Sequence, residues 1–201
     1  MKPFLIFLIS ALYLHTVDAT TLPKVPMEEL FAKADIVAIV EIKKGETIDI
    51  EQGSCGAVYE GMVVEEFKGK NKNINLEFGP YHGYEIGSKY LLFLNSPNKV
   101  YEPILSTNSV SVAAKQEYLL KCQSKLKGQR IMHGGNGALK VETTDKYSYK
   151  DAAIIPQRFV SIPEALPKQI VDEGKCYEWQ ECFWVPEESL IKYLNKLKNE
   201  L

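Results

Sequence analysis

The chain has 201 residues, 45% of them hydrophobic and 25% charged, which is ordinary globular usage and argues against disorder, collagen or coiled coil. Its 24 Lys and Arg against 26 Asp and Glu leave a formal charge of −2, so no basic surplus exists to grip a nucleic-acid backbone. The length fits one domain, or one domain with an extension.

Met1-Lys2-Pro3 brings a positive charge, Phe4 to Leu14 is almost unbroken apolar sequence, and Val17-Asp18-Ala19 offers small or modest residues before a cut. This is the pattern of a secretory signal peptide over residues 1–19. Its apolar core is shorter than the roughly 20 residues of a spanning helix. Cleavage after Ala19 starts the mature chain at Thr20, with no Cys near the cut to carry a lipid. The expectation is a secreted or periplasmic protein with no membrane segment once the signal is removed.

Pro26 to Lys33 reads as a short helix, with Pro in the first turn, Glu28 and Glu29 near the positive end of the dipole, and Met27, Leu30 and Phe31 on one face. Ala34 to Ile42 is a β-branched run in which Ile36, Ala38, Val40 and Ile42 alternate onto one side. Lys43 to Gly53 is polar and turn-like. Cys55 to Phe67 reads as a long strand whose Gly56 and Gly61 mark a bend or bulge. Lys68 to Asn73 is a turn, Ile74 to Phe78 a strand, Gly79 to Tyr84 a loop, and Lys89 to Leu94 a buried strand. Ser96-Pro97-Asn98 turns the chain into Lys99 to Pro103.

Short strands at regular spacing joined by Gly, Pro and Asn turns point to a small barrel or sandwich. Ala113 to Leu126 follows as a helix. Gly128 to Tyr149 is loop-rich, with one short strand at Ala138 to Glu142. Pro186, Glu187 and Glu188 open a last helix, in which Leu190, Ile191, Leu194 and Leu197 form one stripe. The tail Lys198-Asn199-Glu200-Leu201 departs from an ER-retention signal at its second position and reads as coincidence.

The cysteines are Cys55, Cys122, Cys176 and Cys182. An even number in an oxidising compartment reads as two disulfides, with three possible connectivities. Cys176 and Cys182 enclose only Tyr-Glu-Trp-Gln-Glu, so local pairing is the simplest choice, leaving Cys55 and Cys122 to close a long loop. Trp179 and Trp184 then cover the short ring. A zinc site lacks paired C-x-x-C spacing, and only His82 and His133 lie outside the signal segment; no metal or cofactor is expected.

Three stretches carry a family likeness: the strand start Ala34-Asp35-Ile36-Val37, the strand end Phe67-Lys68-Gly69, and Gly87-Ser88-Lys89-Tyr90-Leu91-Leu92-Phe93-Leu94. In this order and spacing, Ala34 to Leu94 resembles the netrin-like, or tissue-inhibitor-of-metalloproteinase-like, group of OB-fold proteins. The resemblance implies a mainly β fold with flanking helices, a five-stranded Greek-key barrel plus a C-terminal helix. The barrel is expected over residues 20–126, with a loop-rich extension over 127–201 ending in the amphipathic helix. The resemblance also implies a protein that binds other proteins, possible peptidases among them, rather than transforming substrates. One departure is plain. Inhibitors of this group chelate the protease zinc through a Cys at the mature N-terminus, whereas this chain is expected to start Thr20-Thr21-Leu22-Pro23. Zinc-directed inhibition therefore does not carry over.

Catalytic patterns are thin. Cys55 with His133 as base makes a nucleophilic reading, a small extracytoplasmic hydrolase, but matches no nucleophile elbow. His133-Gly134-Gly135-Asn136-Gly137 lacks the Lys-Ser/Thr of a phosphate loop. Glu65-Glu66 point to opposite faces of a strand. The best contact surface is the aromatic loop Tyr81, His82, Tyr84 beside Lys68 and Lys70, since OB-folds bind through loops and one sheet face. A structural role in the cell envelope is the third alternative.

Overall fold

In the computed structural model, residues 24–51, 53–69, 74–81, 83–97, 112–143, 151–156, 159–171 and 181–200 are described. The segments 1–19, 98–111 and 172–180, with the expected signal peptide, the Lys99–Pro103 stretch, Cys176 and Trp179, lie outside them.

The chain enters through β1 (Val25–Pro26), which pairs in parallel with β9 (Val160–Ser161). Pro26 caps α1 (Met27–Lys33), whose Met27, Leu30 and Phe31 are buried as the sequence spacing predicts. Two long antiparallel strands follow, β2 (Ile36–Ile50) and β3 (Gly53–Lys68). The polar stretch Lys43 to Gly53, expected to turn, is therefore mostly strand. Its residues are largely exposed, so the ladder to β3 holds them extended without a buried face. The expected irregularity at Gly61 is present. The β2–β3 register shifts between Ile42 and Lys44, beside Gly61, where an added Cβ would lie 2.2 Å from Val40 Cγ1. A side chain there would collide with the ring core.

β4 (Asn75–Tyr81) and β5 (Lys89–Asn95) come next. Then α2 (Val112–Lys125) leads into β6 (Gln129–Ile131) and a 3-10 turn (Met132–Gly135). Strands β2-β3-β4-β6-β5 close into a five-stranded ring, with β4–β6 parallel and the other pairs antiparallel. This is the OB-like barrel, in a mainly β molecule with a C-terminal helix. The closing strand falls past Leu126, so the ring draws on both stretches that the sequence separates.

The sheet forks at β5. Leu94 and Asn95 pair with β6, while Lys89 to Leu92 pair with β7 (Ala138–Thr143). From β7 the sheet runs on through β8 (Asp151–Pro156) and β11 (Cys182–Pro186) to β10 (Gln169–Ile170). This branch replaces much of the expected loop-rich extension with strands. α3 (Glu187–Glu200) closes the described chain, with Leu190 and Leu194 buried.

The fork gives β2 and β5 two buried faces. Ile36, Ala38, Val40 and Ile42 point into the ring with Tyr90, Leu92 and Leu94. Val37, Ile39, Leu91 and Phe93 point outward into a second core, covered by α1, α3 and the β7–β8–β11 branch. Strands buried on both sides read as continuous apolar runs rather than as alternation, which is the character of Ile36 to Val40 and of Tyr90 to Leu94.

Candidate functional site: the barrel mouth

Tyr81 ends β4 opposite Ala57 near the start of β3, and the loop Gly83 to Ser88 folds beside it. Tyr84 packs among four aromatic rings, with centroids 4.9 Å from Tyr90, 5.1 Å from Tyr59, 5.4 Å from Tyr81 and 6.3 Å from Phe78. Tilted contacts at these separations suit the aromatic quadrupoles and fix ring orientation. The backbone follows the rings: Tyr84 N–H donates to the Tyr59 hydroxyl at 3.3 Å and Glu85 N–H to the Tyr90 hydroxyl at 3.1 Å. Burial pushes the Tyr90 phenol up, outweighing the Glu85 amide and Lys140, so it stays a neutral acceptor.

The loop is fastened at its far end too. Gly87 N–H donates to Ile42 O at 2.8 Å, and Ile42 N–H to Ser88 O at 3.0 Å. Lys140 Nζ, reaching from β7, donates to Glu85 Oε2 at 2.8 Å. That bond leads the causes that hold the Glu85 carboxyl below its ordinary value. Burial alone would lower the Lys140 ammonium, but Glu142 and Glu85 together raise it. Gly87 has φ +86 and Gly83 φ +99, backbone angles that glycine adopts without strain. Outward from this braced loop point Ile86, 68% exposed, and Tyr81, 36% exposed.

Of the sequence-predicted contact residues, Tyr81 and Tyr84 are thus brought together, Tyr84 mainly as a support. His82 and Lys70 lie outside the described residues. Lys68 stands at the opposite end of β3, paired with Val37, and its ammonium donates to Phe31 O and Ala32 O at 2.8 Å each. It is occupied by α1, not by the mouth. Sequence reasoning missed Ile86. Its signal was an apolar residue in the Glu85-Ile86-Gly87 turn, with no strand or helix face to pack on.

Cys55 and Cys122 form a disulfide that ties β3 to α2, with Cα atoms 5.4 Å apart and both residues buried. Cys182 is disulfide-bonded as well, packed with Trp184, Ala152 and Val171. Among the described residues no cysteine is free, so Cys55 carries no thiol to act as a nucleophile. His133 lies in the 3-10 turn at φ 48. Among the described residues, no three His, Cys, Asp or Glu side chains are placed to hold a metal ion together.

An open groove of about 220 Å³ runs across the β2–β3 hairpin, lined in part by Lys44, Lys125 and Lys127 and by Glu46, Glu60 and Glu77. Lys44 reaches Glu60 at 3.6 Å with both side chains more than half exposed, a pair worth little in water. No helix among the described residues is long and apolar enough to cross a membrane. No family model matches the chain, and no curated protein is significantly similar to it.

Proposed function

We propose that this protein is a non-catalytic, extracytoplasmic protein-binding domain of the netrin-like and metalloproteinase-inhibitor-like kind, acting through the mouth of its barrel. The observation that carries the reading is the braced loop. Tyr81 and Ile86 are presented to solvent on a scaffold of tilted, packed rings and of backbone N–H bonds to tyrosine hydroxyls, so little conformational entropy remains to be lost on binding. Aromatic and apolar anchors on rigid supports are what protein interfaces use as hot spots. Export is supported by the signal-like first nineteen residues together with the buried Cys55–Cys122 disulfide, a bond that persists in oxidising compartments. Zinc-directed protease inhibition is not part of the proposal, because the expected mature N-terminus brings no Cys.

The test is cross-linking of the immobilised mature protein in an extracytoplasmic fraction of its source, followed by competition with a panel of purified peptidases. A partner captured by the wild type is expected to be lost with Tyr81→Ser combined with Ile86→Ser. It should be kept with Ile170→Ser, a substitution at another exposed apolar residue, on β10. Equal capture by all three proteins would remove the barrel mouth as the contact surface.

A further inference from the structure

The two halves of β2 have different surroundings. Ile36 to Glu41 pair with β5 on one side and β3 on the other, and Ile42 closes that ladder through Gly87 N–H and Ser88 O. From Lys43 to Ile50 the strand pairs with β3 alone; among the described residues no strand lies along its other side. Successive residues of a strand turn their N–H and C=O groups to alternate sides, so this edge offers donors and acceptors to another extended chain.

Folded proteins blunt such edges with Pro, with bulges or by keeping them short. Lys43 is an inserted residue, since Ile42 and Lys44 are paired with the adjacent Gly61 and Glu60. At the next shift Thr47 and Asp49 are paired with Ala57 and Ser54, which puts the extra residue on β3. Lys44 to Ile50 therefore runs on without Pro or insertion.

The edge is also polarised along its length. Lys43 and Lys44 stand at one end, Asp49 and Glu51 at the other, and all four are exposed. Lys43 pairs with Glu41, and Lys44 with Glu60 at 3.6 Å, in contacts that water reaches and that bind weakly for that reason. A parallel copy of this strand would set like charge beside like, whereas an antiparallel copy sets the basic end beside the acidic end. The whole stretch Lys44 to Ile50 pairs with itself when Thr47 lies on the two-fold axis. Lys43 of one copy then approaches Glu51 of the other. Lys44 faces Ile50, Gly45 faces Asp49 and Glu46 faces Ile48, so no like charges are opposed. Opposite residues share a face of the sheet, and the Lys44 stem covers the half-buried Ile50 of the second copy.

We propose that the outer edge of β2 is a self-association surface, through which two copies of this chain join antiparallel into one continuous sheet. The occupant is a second copy because the edge is complementary in charge to its own reverse. The proposal does not rest on the barrel-mouth reading. A single strand pair is smaller than a standard interface, so the dimer forms and dissociates with concentration.

Sedimentation velocity of the full mature chain across a range of concentrations tests this. The mass is expected to rise from one chain to two. Lys43→Glu with Lys44→Glu opposes acid to acid at both ends of the contact, and Asp49→Lys with Glu51→Lys opposes base to base. Each double variant alone should remain monomeric, while an equal mixture of the two should dimerise again. A wild type that stays monomeric, variants that dimerise like the wild type, or a mixture that stays monomeric would each overturn the proposal. Should a variant fail to fold, amide exchange of the wild type decides: protection of Lys44 to Ile50 that does not rise with protein concentration would equally overturn it.

Discussion

Lys68 shows how one side chain can join two elements that the sequence places far apart. From the end of β3 its ammonium donates to the carbonyls of Phe31 and Ala32, and it lies 5.6 Å from the centre of the Phe31 ring. These carbonyls are at the C-terminal end of α1, where a cation also complements the helix dipole. Asp35 holds the other side of the same junction: its N–H donates to Leu94 O at 2.8 Å, and its carboxylate accepts from Ser96 N–H at 2.7 Å. Lys68 and Asp35, two of the residues that carry the resemblance, thus seat α1 on the barrel. Lys68→Met keeps most of the packed stem but removes both donations. We expect a loss of about 1–2 kcal/mol, read as a lower denaturant midpoint at unchanged slope. Unchanged stability would mean that solvent satisfies those carbonyls equally well.

Among the elements, α2 depends most on a covalent tie. Beyond Cys55–Cys122, it is held by the Tyr118 hydroxyl donating to Ser54 O and by the buried Arg130, whose guanidinium donates to Leu126 O at 2.7 Å and Gly128 O at 2.9 Å. The bridge spans a sequence separation of 67, for which chain-entropy reasoning gives about 4 kcal/mol. Replacing both cysteines by Ala should lower stability by that order and raise amide exchange in α2 before it rises in β2 or β5. Simultaneous exchange of helix and barrel would show that α2 is integral to the ring. The same contrast explains what the sequence made legible. α1, β5 and α3 have long enough apolar patterns, ended by Pro, Gly or charge, to be read alone. In the outer half of β2 only Ile48 and Ile50 are half-buried, so Lys43 to Ile50 carries too short an alternation to mark a strand. β8 and β11 have only a few residues each and are defined by their partners on either side. For the mouth, Tyr81 and Tyr84 were legible as aromatics in a glycine-rich loop. That Lys68 belongs elsewhere rests on the antiparallel β3–β4 pairing, which sets Tyr81 opposite Ala57 and far from the Lys68 end of β3.

At the scale of the whole molecule, the perturbed acids and bases act on stability in opposite directions and so shape one pH profile. Hydrogen bonds from Lys33, Lys140 and Lys121 hold Glu29, Glu85 and Glu117 below 4.5. Their stabilisation is complete above 4.5 and is lost as pH falls through the lowered native values. Glu187 has the reverse sign: burial, chiefly, raises it above 4.5, so the native state keeps a proton that the unfolded chain has released. Stability from this group is full at and below 4.5 and declines as pH rises through its native value. Far above neutrality, the raised Tyr90 and Tyr193 phenols and the raised Lys140 ammonium are all better protonated in the native state. Their contributions also decline as pH rises. Thermal unfolding across pH should therefore peak on the mildly acidic side and fall in both directions. Glu29 and Glu117 form exposed ion pairs with their lysines, and Glu85 is exposed beside a half-buried Lys140, so added salt should flatten the acid limb. The decline assigned to Glu187 comes chiefly from burial and should persist in salt, yet disappear in Glu187→Gln. A maximum above neutral pH would contradict this assignment of signs. A neutral-side decline that salt abolishes would place its origin in surface repulsion instead of at the base of α3.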